Sequence, residues 1–380
     1  MKILIAPDSF KETLTATDAA NAIEEGFLDI FPEANILKLP IADGGEGTVD
    51  VLVTATQGKY FSTKVSGPTG EYINAKWGML GNSKTAVIEI AEACGLHLVA
   101  LKKRNPMNTS SFGVGELILA ATDEGAEHII IGLGGSATND GGMGFLKAIG
   151  VQFLDSFGKE LTGGVESLNT LSDINITSID SRLKGVSFEI ACDVDNPLIG
   201  PQGASVIFGS QKGADEKMIN QLDNLLSHYS RIASSKLNNN LSMQPGAGSA
   251  GGIGYGFLAF LKADQKSGVQ IILEKLNFEQ HLLTTDLVIT GEGRFDSQSL
   301  RGKAPMGVID YARKYKCSIF VIAGSAEDDE ILENKYHIDK VFSIISKDLS
   351  FEQSIANPND SLMATARKAA QHYKKYYLNL

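Results

Sequence analysis

Apolar positions along the chain fall into two kinds of run, and their alternation predicts the architecture. Residues 2–6 (KILIA) form a short run with the pattern of a strand covered on both faces, and Pro7 ends it. Between residues 15 and 31, Ala19, Ala20, Ile23, Phe27 and Ile30 recur at helical spacing, with Thr15 or Thr17 as the capping residue. A second strand over 35–41 leads into a glycine-rich loop, and a helix over 49–56 follows. Strand, helix, strand, helix is how an open α/β sheet begins.

The texture changes near Gly58. Residues 61–65, 74–80 and 86–90 read as strands joined by the turns Gly67-Pro68-Thr69-Gly70 and Gly81-Asn82, short enough to require antiparallel pairing. Further on come a helix over 112–124, strands over 128–133 and 187–192, a long helix over 217–237, and a glycine-rich stretch over 244–256. The doubly wound texture then returns, with strands over 287–290, 318–323 and 340–345 and helices over 304–315 and 362–377. The expectation is an α/β protein in which residues 1–62 with 280–380 form one parallel-sheet domain. A second α/β domain with a mixed sheet, residues 63–279, is inserted into it. Two consecutive domains split near residue 160 are the competing arrangement.

Composition narrows the function classes. The chain of 380 residues carries 34 Lys+Arg against 45 Asp+Glu, a net charge of −11, which argues against a nucleic-acid partner because such proteins present a basic face. Cys94, Cys192 and Cys317 are widely spaced, with no CxxC pair, so neither a structural zinc site nor a disulfide framework is expected and a cytoplasmic, reducing setting is. The opening MKILIAPDSF lacks the apolar core of a signal peptide, and no stretch of about 18 apolar residues suggests a membrane span. The six histidines stand apart, without metal-ligand spacing.

The chemistry gathers in loops that follow predicted strands, the edge at which open α/β sheets bind ligands. The richest is Gly134-Gly135-Ser136-Ala137-Thr138-Asn139-Asp140-Gly141-Gly142. Its glycines allow backbone N–H groups to approach phosphate oxygens, Ser136, Thr138 and Asn139 add polar contacts, and Asp140 can hold Mg²⁺. It lacks the lysine of a GxxxxGK[ST] loop and is not GxGxxG, and a plain glycine turn remains the bland alternative. Asp8-Ser9-Phe10-Lys11 offers Lys11 as a point charge for an anion and Asp8 as base or metal ligand, against a helix-capping turn. Asp43-Gly44-Gly45-Glu46-Gly47-Thr48 pairs two carboxylates with glycines, as phosphoryl transfer requires. Asp193 and Asp195, two apart in an extended segment, can face one cleft, one taking a hydroxyl proton and the other a metal, although an Asx turn before Pro197 is nearly as good a reading. Gly291-Glu292-Gly293-Arg294-Phe295-Asp296, with Arg301 and Lys303 downstream, suits a metal–nucleotide or hydroxy-acid site, and Arg294 can clamp an anion with two bonds.

In this order, and with Lys103-Arg104-Asn105-Pro106, Gly113-Val114-Gly115-Glu116 and Gly302-Lys303-Ala304-Pro305 between and after them, these segments span nearly the whole chain. The chain resembles the bacterial glycerate kinase family, the two-domain type that includes the glyoxylate- and galactarate-pathway enzymes. The resemblance implies a flavodoxin-like domain interrupted by a second α/β domain, with the active site between them. It also implies ATP and Mg²⁺ as cofactors, D-glycerate as acceptor and 2-phosphoglycerate as product. The resemblance does not fix which acid is the base, and Asp193 or Asp195 is the expected one. Asp43, Glu46, Asp140, Glu292 and Asp296 are the metal candidates, and Asp8 and Lys11 belong to the catalytic group. Ser9, Gly44, Gly45, Gly134, Gly135, Ser136, Thr138, Asn139, Arg294 and Lys303 are the substrate and phosphate contacts. A homodimer is a further expectation. Another hydroxy-acid kinase, a 3-phosphoglycerate-forming enzyme and a non-catalytic anion-binding module are the rival readings. A dinucleotide oxidoreductase is opposed by Pro7-Asp8-Ser9, which stands where GxGxxG belongs.

Overall fold

The computed structural model describes residues 1–10, 13–295, 304–326, 329–345 and 351–378. The chain divides into two compact units, Met1–Asp43 with Val269–Leu380, and Gly44–Gly268. The helix Thr48–Ala55, read from sequence with the first domain, falls in the second unit because Val49 and Val53 close onto Gly78 of the strand Tyr72–Met79, where a larger residue has no room.

The first unit is built on five parallel strands in the order Lys340–Ser343, Ser318–Ala323, Leu287–Gly291, Lys2–Pro7, Asn35–Lys38. Counted along the unit this is 2-1-3-4-5, the flavodoxin-like doubly wound order. Lys2–Pro7 lies inside the sheet, paired on both sides, and is buried beyond its first residue, which explains its unbroken apolar pattern. Asn35–Lys38 lies at the edge and stops short of the expected residue 41. Leu39 and Ile41 still donate to Ile5 O and Pro7 O, and Pro40 between them occupies the position whose N–H would face the open edge of the sheet, where proline costs no ladder bond. On one face, the helix Ala16–Leu28 packs beside Pro358–Tyr377, and Ile23, Phe27 and Leu362 join Ile3, Ile5 and Phe320 in the core. Thr15 caps the first of these helices by accepting from Asp18 N.

The second unit holds a six-stranded sheet in the order Asp264–Lys266, Ser187–Ala191, His128–Gly132, Thr85–Glu89, Tyr72–Met79, Lys59–Ser66. The first four run parallel and the last two antiparallel. The antiparallel pair is anchored by Trp77, which is fully buried, stacks on Phe61 at 4.4 Å and donates from Nε1 to Thr63 Oγ1 at 2.9 Å. In the helical layers Phe145 stacks on Phe257 at 4.5 Å.

The glycine-rich stretch 244–256, for which ligand cradle and close packing are equal readings of the sequence, serves close packing. It leads into the helix Ser249–Phe260, in which Ala250, Gly251 and Gly252 have φ of 53°, 70° and 90°. At that bend a β-carbon on Gly251 would run into Thr138 O, and Gly141 N donates to Gly251 O at 3.0 Å. Two backbones meet there at a distance only glycine permits.

Candidate active site

The four parallel strands of the second unit end at one edge, and the sequence supplies that edge with Glu89, Gly132–Gly135, Ala191–Asp193 and Lys266–Gly268. The segment that opens the unit lies across the same edge. Gly44, with φ of 86°, is wedged where a β-carbon would stand 2.9 Å from Ala191 Cβ, and one on Gly134 would stand 3.2 Å from Gly45 Cα. Asp193 is exposed just past its strand, and its Oδ1 accepts from Gly268 N at 3.2 Å. Gly44, Gly45, Gly134 and Asp193 are thereby brought to one edge. Asp195 is exposed two residues further along and Glu46 is exposed on the opening loop.

Behind its exposed tip, the 134–142 loop turns inward. Gly135 is at the surface, whereas Ser136, Thr138, Asn139 and Asp140 are buried. Asn139 Nδ2 donates to Ser205 Oγ at 2.8 Å. Asp140 Oδ2 accepts from Ser111 N at 2.9 Å, Ser111 Oγ at 2.8 Å and Gly144 N at 3.1 Å, and Oδ1 accepts from Gly142 N at 3.1 Å. Four inward donors use the lone pairs that a metal ion would need, so the geometry of Asp140 is that of a loop staple rather than of a Mg²⁺ ligand. Thr138 and Asn139 are buried as well, and among the described residues Thr138 Oγ1 and Asn139 Oδ1 have no hydrogen-bond partner, so Gly134 and Gly135 are the part of the loop nearest the surface.

Two charged residues that sequence reading passed over lie beside this edge. Lys212 is buried against the loop. Glu89 ends the apolar strand Thr85–Glu89 and is 8 % exposed, and its Oε1 accepts from Val49 N at 2.8 Å. It thus caps the helix Thr48–Ala55, whose own N-cap, Gly47, has no side chain to offer. The signal available in sequence was a carboxylate inside the apolar run AVIEIA, which calls for a buried partner.

Burial pushes the Glu89 carboxyl from the ordinary 4.5 up to about 7; the Val49 bond opposes this, and Glu92, Asp50 and Glu46 add to it. The folded state therefore keeps a proton that the unfolded chain releases. The stability this group contributes is complete below pH 4.5 and is lost as pH rises through 7. Glu89→Gln keeps the acceptor for Val49 N and removes the charge. The variant should melt with the wild type near pH 4.5 and be more stable at pH 8, by at most about 3 kcal/mol. A gap of the same size at both pH values would show that Glu89 does not titrate in this range.

The first unit has its own ligand edge. In the 2-1-3-4-5 order the strand sequence reverses between Lys2–Pro7 and Leu287–Gly291, and open α/β sheets bind ligands outside the carboxyl ends at that reversal. Asp8 and Ser9 follow the first strand, Glu292 and Arg294 the second. Asp8 N donates to Gly291 O at 2.8 Å, and Asp8 Oδ1 accepts from Ser9 N at 2.6 Å. Asp8 and Glu292 are buried, whereas Arg294 is exposed in the short strand Arg294–Phe295. Asp43 is half-buried at the unit's boundary. Lys11, Asp296, Arg301 and Lys303 lie outside the described residues.

A sequence profile of the glycerate kinase family matches residues 3–374. The chain belongs to the glycerate kinase family. It is 50% identical over 370 residues to the glycerate 2-kinase of Escherichia coli K12, covering 97% of each chain. It is 49% identical over 374 residues to a glycerate kinase of Bacillus subtilis 168, covering 98% of each. Its fold superposes on the crystal structure of a candidate glycerate kinase 2 from Salmonella typhimurium LT2 with a TM-score of 0.90 at 44% identity, over 99% of this chain and 98% of that one. The resemblance read from the loop motifs is borne out, as is the α/β fold with its flavodoxin-like sheet and its second, mixed sheet. Among the described residues no helix is long and apolar enough to cross a membrane.

Asp8 and Glu292, buried at the first unit's edge, are oxygen donors of the kind that Mg²⁺ takes. Among the described residues no three His, Cys, Asp or Glu side chains converge as a cage. Mg²⁺ in kinases needs none, since one or two carboxylates together with phosphate oxygens hold it.

Proposed function

We propose that this protein is an ATP-dependent glycerate kinase that phosphorylates the 2-hydroxyl of D-glycerate, releasing 2-phosphoglycerate and ADP. The match to glycerate kinases over the full length of the chain carries the reading, and the two carboxyl-edge clusters supply chemistry that suits it. The name of the Escherichia coli relative, a glycerate 2-kinase, supports the choice of hydroxyl.

The roles follow from each edge by itself. In the second unit, Asp193 takes the proton of the attacking hydroxyl, being exposed and oriented by Gly268 N. The backbone of Gly134 and Gly135 meets anionic oxygens. In the first unit, Asp8 and Glu292 are the carboxylates for a divalent cation, and Arg294 is the cation for a carboxylate or phosphate. Mg²⁺, when bound, offsets charge on the transferring phosphoryl group.

The test couples D-glycerate, ATP and Mg²⁺ to enolase, which accepts 2-phosphoglycerate and not its 3-isomer. Phosphoenolpyruvate should form. ADP release without it would move the phosphate to the 3-hydroxyl, and no glycerate-dependent ADP would remove glycerate as the acceptor.

A further inference from the structure

The 134–142 loop carries no lysine, yet the fold delivers one to it across 76 residues. Lys212 ends the short turn Ser210–Lys212 and is 2 % exposed. Its Nζ donates to Ser136 Oγ at 2.9 Å and to Thr138 O at 2.6 Å. Among the described residues no carboxylate forms an ion pair with it. The groups that face it electrostatically are Asp140 on the loop and Cys94 on the helix Ala91–Cys94. The Asp140 carboxylate is engaged by four other donors, and burial raises the Cys94 thiol to about 12, which keeps it neutral.

A buried ammonium whose hydrogen-bond partners are both neutral costs stability that a neutral side chain would not, and the Asp140 carboxylate offsets only part of that cost. Burial pulls the Lys212 pKa down to about 8, with Cys94 and Asp140 opposing the fall. The folded state holds the proton less tightly than the unfolded chain, so between pH 8 and the ordinary 10.5 stability rises as the proton is lost. A charge that the fold retains against this gradient is suited to a ligand. Its placement is directional as well. Ser136 Oγ accepts from the ammonium, so the Ser136 O–H must point away from Lys212, and a hydroxyl polarised by a cation is a stronger donor. Ser136 adjoins Gly135, the exposed tip of the loop.

We propose that Lys212 is a positioning residue that gives the Gly134–Ser136 turn its affinity for phosphate oxygens, acting through Ser136 and through its own buried charge. That the phosphates are those of a nucleotide rests on the kinase reading; the anion-binding claim does not.

The test compares wild type with Lys212→Met, similar in length and uncharged, using inorganic pyrophosphate and ADP as probes in calorimetry and thermal melts alongside. The variant should melt at or above the wild-type temperature at pH 7 and bind pyrophosphate and ADP about 10- to 100-fold more weakly. Wild-type affinity for pyrophosphate should fall as pH rises through 8, while that of the variant stays flat. Unchanged pyrophosphate affinity in the variant would overturn the proposal. So would a lower melting temperature that accompanies the loss of binding, since Lys212 would then only pin the loop. Glycerate-dependent ADP release by the wild type tests the kinase reading separately. If it is absent, that reading falls while the pyrophosphate comparison still decides the role of Lys212.

Discussion

Asp193→Asn should lower kcat by roughly 10²- to 10⁴-fold, the range expected when a general base is lost, and leave the melting temperature unchanged. The substitution keeps the size and shape of the side chain and removes its charge. Asn Oδ1 can still accept from Gly268 N, as Asp193 Oδ1 does at 3.2 Å, and the side chain is exposed at the sheet edge. What disappears is the ability to take the hydroxyl proton. Asp195→Asn is the control, since it removes an equally exposed carboxylate two residues away. Near-normal turnover in Asp193→Asn with a large loss in Asp195→Asn would transfer the role to Asp195, and near-normal turnover in both would place the base elsewhere.

Asp140→Ala should destabilise the Gly44–Gly268 unit by roughly 3–5 kcal/mol. The substitution leaves the buried N–H groups of Ser111, Gly142 and Gly144 without their acceptor, along with the Ser111 hydroxyl. Each unpaired buried donor costs about 1–3 kcal/mol, and local relaxation recovers part of the sum. Trp77 is the chain's single tryptophan and is buried in this unit, so its fluorescence in a denaturant titration reports the change. Mg²⁺ should not restore the variant, because the lost interactions are internal. A midpoint equal to the wild type's would mean that the loop holds its shape without Asp140.

The contrast between these two aspartates shows how far the sequence could be read. Both follow predicted strands, both sit among residues typical of turns, and both qualify as ligands by residue type. The structure separates them by direction: Asp193 faces solvent at the sheet edge, and Asp140 turns inward to Ser111, 29 residues earlier in the chain. Glycine-rich motifs divide in the same way. Gly134 and Gly135 come to the carboxyl edge, whereas Gly251 and Gly252 serve the approach of one backbone to another.

By itself the sequence determined the alternation of strands and helices, the antiparallel passage read over residues 61–65, 74–80 and 86–90, the positions of the glycine and acid loops after strands, and the family to which those loops point. These are local properties, because side-chain direction repeats every two residues in a strand and every 3.6 in a helix, and a run of ten residues suffices to reveal either. Only the tertiary structure decided the inward turn of Asp140, the capping of the helix Thr48–Ala55 by Glu89 and the placing of Lys212 behind Ser136, and it bore out the strand order that the family resemblance implied. Each of these depends on segments 29 to 284 residues apart meeting in space. A lone lysine or glutamate looks the same in the sequence whether it ends in water or in the core. Its charge acquires meaning only when the fold removes the solvent around it and fixes the partner it must face.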